Sequence, residues 1–303
     1  MVQVEPDRVT QDSVTQDSVT QDSVTQDSVT QDSVTQDGPS DGVVDAFVRQ
    51  RTLVGFGDDG QRALADAAIA IVGVGGLGCP AALYLAAAGV GRITLIDSDT
   101  VSVTNLHRQV LFGPDDVGER KVDAAARRLA AIAPGCRVTT VAKRLTAINI
   151  QDTLAGHDVI VDATDTFHAR LLIDDTAATL GIPVAWGAVQ GWHGQVTAFG
   201  SRVRLRDAFP VEPELDLDVC DSGPVLGTVC GQVATAMATE AIKLASGTGT
   251  TLEGTIQVLN GRSGKWRSLA VGAAASAKPH FNTGQPSGES RHVPGRAARA
   301  ANA

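Results

Sequence analysis

The sequence predicts an α/β fold: a doubly wound, mostly parallel Rossmann-like sheet with helices on both faces and a few antiparallel strands near its C-terminal end. Three observations carry this. From Ala68 onward, short apolar runs alternate with segments of helical periodicity, joined by short connections. A glycine-rich turn, GVGGLG at residues 73–78, separates the first apolar run from the first helical segment. After Gly187 the alternation stops, and strand-like segments follow a long Pro/Gly-containing loop.

The elements follow in order. Ala68–Gly73 is a buried strand and Leu77–Ala88 a helix; Arg92–Asp97 is the second strand. Glu119–Ala133 has apolar residues at helical spacing, and Pro134-Gly135 stops it. Val138–Lys143 is a strand, Thr146–Leu154 a helix, Val159–Asp162 a strand, Phe167–Leu180 a helix and Ile182–Ala188 a strand. Gly194–Gly200 alternates like a strand, and residues 201–224 read as a long loop. Val225–Ala245 is a helix stopped by Ser246-Gly247, and Thr255–Leu259 and Lys265–Ala270 are strands. Val225–Ala245, as a core helix, also offers a share in a subunit interface.

Both ends of the chain differ from this. Residues 9–38 are five copies of VTQDS and one of VTQDG. A five-residue period fits neither helix nor strand, and one apolar residue per unit cannot offset the entropy of ordering. Residues 1–41 are therefore expected to be a disordered acidic leader, 42–272 a folded domain, and the Ala/Gly/Pro/Ser-rich 273–303 a disordered tail. The leader holds nine acids and one base, which accounts for −8 of the chain's net charge of −9. The remainder has no basic footprint, so no nucleic acid is expected as a partner. The N-terminus has no apolar segment of a signal peptide. The longest apolar candidate, 225–245, contains Gln232, Glu240 and Lys243, so no membrane span is expected. Cys79, Cys136, Cys220 and Cys230 show no C-x-x-C spacing. A reducing, cytoplasmic setting is the expectation.

The turn Gly73, Gly75, Gly76 and Gly78 lets backbone amides approach a phosphate at a helix N-terminus, and Asp97 ends the second strand where an acid grips ribose hydroxyls. Turn and acid alone leave NAD, FAD and ATP open. Asn105 and Arg108 just past the second strand, Lys121 at the next helix and Asp165 after VIVDATD favour a triphosphate with magnesium. The carboxylate holds the metal and the cations neutralise oxygens. No His–Asp pair suits hydride transfer.

The segments GFGDDGQRAL, IAIVGVGGLGCPAALYLAAAGVGRITLIDSDTVSVTNLHRQVLF, VGERKVDAAA, VDATDTFHARLLID and GQVTAF resemble the ThiF/MoeB/HesA family, related to the adenylation domain of ubiquitin-activating enzymes. The chain looks like a zinc-free, MoeB-like branch without a rhodanese domain. The resemblance implies an adenylyltransferase that uses ATP and Mg²⁺, with no zinc. Its substrate would be the C-terminal Gly-Gly carboxylate of a ubiquitin-like sulfur-carrier protein, for molybdopterin, thiamine or related biosynthesis. A homodimer is implied, with a separate rhodanese or cysteine desulfurase as sulfur source.

Residue by residue, the resemblance implies that Gly76 and its neighbours support the phosphates and that Asp97 holds the ribose. Thr104, Asn105, Leu106, His107 and Arg108 line the nucleotide, His107 by its backbone alone. Lys121 neutralises developing charge, and Asp165 binds Mg²⁺. Arg49 reaches across the homodimer to the partner's triphosphate. Thr166 stands where the family commonly has Asn. Cys220 sits on the crossover loop, where some relatives form a covalent acyl intermediate. Cys79 and Cys230 read as buried core, His168 and His193 as surface or structural. The competing readings are a non-catalytic subunit, a family member acting on a peptide or tRNA, and an NAD-dependent oxidoreductase. Deleting residues 1–40 is expected to leave activity intact, because that segment has too little apolar content to join the core; parallel activity assays of both proteins check this, and a large loss would contradict a disordered leader.

Overall fold

The computed structural model describes residues 46–210 and 223–272. The leader, the tail and Cys220 lie outside the described residues. The elements run α1 (Val48–Arg51), α2 (Gly57–Asp66), β1 (Ala68–Val72), α3 (Gly78–Ala87), β2 (Arg92–Ile96), α4 (Lys121–Ile132), β3 (Arg137–Val141), α5 (Ile150–Leu154) and β4 (Val159–Asp162). There follow α6 (Phe167–Leu180), β5 (Val184–Gln190), β6 (His193–Phe199), α7 (Leu205–Ala208), α8 (Gly227–Ser246), β7 (Thr255–Asn260) and β8 (Lys265–Ala270).

The eight strands form one sheet in the order β3-β2-β1-β4-β5-β6-β7-β8. The first five are parallel, and β6 to β8 extend the sheet as antiparallel neighbours. β1 and β4 are fully buried, which is why AIAIV and VIVD are continuous apolar runs rather than alternating ones. β3 lies at the edge and exposes Arg137, Thr139 and Thr140. One core, built on Ile69, Ile71, Leu85, Leu95, Leu129, Val233 and Met237, joins the sheet to α3, α4 and α8. The other, built on Ile96, Leu154, Ile160, Ile173, Trp186 and Phe199, joins the opposite face to α5, α6 and α7. There Trp186 sits 5.8 Å from Phe199 and 5.6 Å from Phe209, ring centre to ring centre.

The expected order of strands and helices from Ala68 onward is present, with boundaries shifted by a few residues. The segment expected as a helix over 146–154 is helical only at Ile150–Leu154. The loop expected over 201–224 contains the short helix α7. Helices α1 and α2 had no counterpart in the sequence reading. Gly57 and Gly60 dilute the helical signal of α2, yet a side chain at Gly60 would start 2.8 Å from the Phe56 ring, so packing chose glycine there.

The connection from β2 to α4 is long and carries several candidate site residues. Its far end is pinned by Asp116, which is buried. Its carboxylate accepts from the Gly113 amide at 2.7 Å and from Arg127 Nη2 at 2.5 Å. The Gly113 amide first, and the Arg127 guanidinium with it, hold the carboxyl below its ordinary value of 3.8. A depressed carboxyl stabilises the fold fully above the unfolded value and loses that contribution as pH falls through the folded one. Asp116→Asn is therefore expected to lower the urea midpoint at neutral pH. The gap from wild type should close as the pH drops below about 3.8, in paired denaturation curves across pH.

Candidate active site

The strand order reverses between β1 and β4: β1 leads outward to β2 and β3, β4 to β5. Loops leaving the carboxyl ends of strands on either side of such a point diverge and open a crevice. Here a cleft of about 210 Å³ is lined by the turn after β1, Asp97–Asp99 after β2 and residues 163–166 after β4. Lys143 and Arg144 beyond β3 complete it, and Ile96, Leu145, Leu172 and Ile173 give it an apolar wall.

The four glycines of the turn divide into two kinds. Gly73 has φ +89°, and a Cβ there would lie 2.7 Å from the Ala163 carbonyl oxygen. A Cβ on Gly78 would lie 1.9 Å from the Gly73 oxygen. Backbone approaches backbone at both, so both are needed for the fold. Gly75 and Gly76 are not constrained this way: a Cβ would meet the Gln109 side chain at 3.7 Å in one case, and Arg108 and Cys230 side chains at 3.3 Å in the other. Both face the cleft. Asp97 clasps the turn, its Oδ2 accepting from the Val74 amide at 2.7 Å and its Oδ1 from the Asp99 amide at 2.8 Å. Each carboxylate oxygen keeps a further lone pair for a ligand.

Three cations of the cleft are buried, Arg108, Lys121 and Arg170. Arg108 is 8 % exposed; its Nη2 donates to Asn105 Oδ1 at 2.8 Å and its Nη1 lies 2.8 Å from His107 Nε2. Lys121 is 3 % exposed and donates to Asp99 Oδ2 at 2.9 Å. Asp165 enters the cleft from the β4 loop. Beside it Thr166 caps α6, its hydroxyl oxygen accepting from the Ala169 amide at 3.2 Å. A threonine therefore keeps the helix-capping function at that position. Behind the loop, Arg170 donates to the Thr164 carbonyl at 2.9 Å and lies over Trp186. Burial pushes the Asp162 carboxyl up, while Arg170 and Thr164 pull the other way. Five cations and three carboxylates line the cleft, a surplus suited to an anion.

Of the residues singled out from the sequence, Gly73, Gly75, Gly76, Asp97, Arg108, Lys121, Asp165 and Thr166 line one cleft. Thr104, Asn105, Leu106, His107 and Gly78 do not line it; Asn105 meets it through Arg108. His107 was expected to act by backbone alone, but its ring stands within hydrogen-bond distance of Arg108. Arg49 is exposed on α1, away from the cleft. Cys79 and Cys230 are buried, as expected, and burial pushes the Cys79 thiol up to about 12, which leaves it inert as a nucleophile. Sequence reasoning missed Lys143, Arg144, Asp99 and His168 as lining residues, and gave Gln109 no role. The carboxyl end of the third parallel strand was the signal available for Lys143 and Arg144.

With this geometry in place, comparison with known proteins is decisive: the ThiF family profile matches residues 47–280. The chain belongs to the ThiF family. It is 39% identical over 235 residues to the probable adenylyltransferase/sulfurtransferase MoeZ of Mycobacterium tuberculosis, covering 75% of this chain and 60% of that protein. It is 38% identical over 236 residues to a sulfur carrier protein adenylyltransferase of Thermus thermophilus, covering 75% of this chain and 87% of that one. The chain thus spans less than two thirds of MoeZ but most of the Thermus relative. The solved structure of PaaA superimposes with a TM-score of 0.61 at 25% identity, over 71% of this chain and 67% of PaaA. The fold of the sheet is therefore shared with PaaA. Among the described residues, no helix is long and apolar enough to cross a membrane.

The two kinds of glycine should separate on substitution. Gly78→Ala drives a methyl into the Gly73 carbonyl and is expected to cost ~3 kcal/mol or more in urea denaturation. Gly75→Ala is expected to unfold within ~1 kcal/mol of wild type, because nothing but a side-chain end lies near.

Proposed function

We propose that this ThiF-family chain is an ATP-dependent adenylyltransferase that activates the C-terminal Gly-Gly carboxylate of a ubiquitin-like sulfur-carrier protein. The observation that carries the reading is the convergence of Arg108, Lys121 and Asp165 on the glycine turn in one cleft. The names of the MoeZ and Thermus relatives support it.

On this reading the adenine lies against Ile96, Leu145, Leu172 and Ile173, and the ribose hydroxyls meet Asp97. The phosphates run along Gly75 and Gly76 toward Arg108 and Lys121. An oxygen of the carrier's terminal carboxylate attacks the α-phosphorus, forming a carboxyl–phosphorus bond. The bond to the bridging oxygen breaks, and pyrophosphate leaves with the electron pair. Arg108 and Lys121 hold the phosphates in line and neutralise the charge that builds on the departing oxygens. A single carboxylate beside a triphosphate suits magnesium, which takes most of its ligands from phosphates and water. Asp165 is the residue that would hold it, and the ion would supply further charge neutralisation. Arg49, exposed on α1, would serve the site of a second copy in a homodimer. A separate rhodanese or desulfurase would supply the sulfur.

ATP–pyrophosphate exchange tests this. Label should enter ATP only when a carrier ending in Gly-Gly is present; exchange driven by a short peptide or a tRNA instead would move the substrate assignment. Asp165→Ala is expected to lower exchange by ~10²–10³-fold with the circular dichroism spectrum unchanged. Retention of activity within a few-fold would remove Asp165 from the metal site.

A further inference from the structure

The cleft adjoins a second cavity, of about 110 Å³, that the mechanism above does not use. The two-residue period of a strand explains its floor: Trp186, Ala188 and Gln190 fall on one face of β5, and all three line it. Phe167 of α6 and Phe209 at the end of α7 wall it, and Gln190, His193 and Gln195 give its hairpin end a polar edge. Arg170, Val189 and Val225 line both this cavity and the nucleotide cleft, so the two meet there. Trp186 is 2 % exposed, its ring against those of Phe199 and Phe209 with the Arg170 guanidinium over it. Its Nε1 is buried and has no hydrogen-bond partner among the described residues.

An indole N–H is a donor and nothing else. Left unpaired in the interior it is costly, and a phenylalanine would fill most of the same space without the penalty. Such a donor is retained where a ligand brings an acceptor to it. The aromatic walls ask for an otherwise apolar ligand, and the guanidinium of Arg170 at the junction excludes a cation. We propose that this cavity receives the first side chain before the terminal glycines of the substrate, a compact apolar one, and that Trp186 selects it by donating from Nε1 to a peptide carbonyl of the same stretch. The inference rests on the reading of the cleft as an adenylylation site. There the terminal carboxylate must reach the α-phosphorus, so the residues before it leave past Arg170, Val189 and Val225. Glycines cross that junction with no side chain to place, and the next residue meets the aromatic cavity. Its carbonyl loses water on entering, and pairing it with Trp186 satisfies both groups at once. Trp186 does not line the nucleotide cleft, so its role is separable from nucleotide binding.

The full chain, loaded with a non-hydrolysable Mg·ATP analogue, is titrated calorimetrically with acetylated tetrapeptides Ala-X-Gly-Gly in which X is Leu, Gly or Lys. Two variants are treated alike. Trp186→Phe removes the donor and keeps an aromatic ring, and Ala188→Leu fills the cavity from the same face of β5; neither residue lines the nucleotide cleft. Wild type is expected to bind the Leu peptide about 10-fold more tightly than the Gly and Lys peptides. Trp186→Phe is expected to lose about fivefold for the Leu peptide, and Ala188→Leu to bind it no better than the Gly peptide. Both variants are expected to keep Mg·ATP affinity within about twofold, with Trp186→Phe melting at or above the wild-type temperature. Equal affinity of wild type for the three peptides, no binding of any at millimolar concentration, or an undiminished Leu preference in either variant overturns the inference. A loss of ATP affinity that matches the loss for peptide does the same. If a Gly-Gly carrier still drives pyrophosphate exchange in that case, only the cavity assignment falls; if none does, the adenylyltransferase reading falls with it.

Discussion

The architecture of the site depends on one steric constraint, the closure of the β1–α3 turn on itself and on the end of β4. Gly78 meets the Gly73 carbonyl where no side chain fits, and Gly73 meets Ala163. These contacts fix where α3 starts and how far the β4 loop stands from the turn. Everything that lines the cleft is placed relative to that junction. The β4 loop carries Asp165 and the start of α6, and the turn itself presents Gly75 and Gly76. Asp97 then fastens β2 to the same junction through the Val74 amide. Three strand ends are thus locked together by backbone and one carboxylate, before any long side chain contributes.

Much of this was legible in the sequence because the constraint falls on residue types with few alternatives. A glycine forced by a backbone contact leaves a mark, and so does a continuous apolar run such as VIVD in a strand buried on both faces. The parallel half of the sheet and the placement of Arg108, Lys121 and Asp165 followed from those marks. What was not legible had weaker chemistry behind it. Lys143 and Arg144 look like surface cations, and only the position of β3 brings them to the cleft. α2 is hidden by its two glycines. His107 gave no sign of facing Arg108, because adjacent residues on an irregular turn obey no periodicity. Cys220 lies outside the described residues, so its expected place on a crossover loop stays a matter of sequence alone.

Burying Arg108 and Lys121 requires partners, and those partners decide what the cleft does with an anion. Arg108 is held by an amide oxygen and an imidazole, both neutral acceptors. Its positive charge is therefore oriented but not cancelled. A guanidinium fixed in this way needs little reorganisation when an oxyanion arrives, which is the condition under which electrostatic stabilisation is most effective. Asn105 thus matters to the cleft although it does not line it.

Lys121 solves the same problem differently. Its side chain is 4 % exposed, while that of its partner Asp99 is 49 % exposed. The desolvation of the ammonium is already complete in the folded chain, and Asp99 compensates it from the rim of the cleft. When a phosphate oxygen comes beside Lys121, the pair need not be broken at the expense of a buried carboxylate, because Asp99 turns to water that already surrounds half of it. The exchange replaces one anion with another around a cation that stays put. An aspartate buried as deeply as Lys121 would hold the lysine against an incoming anion; on the proposed reading of the cleft, the half-exposed position of Asp99 lets the lysine be paired before the nucleotide binds and available when it does.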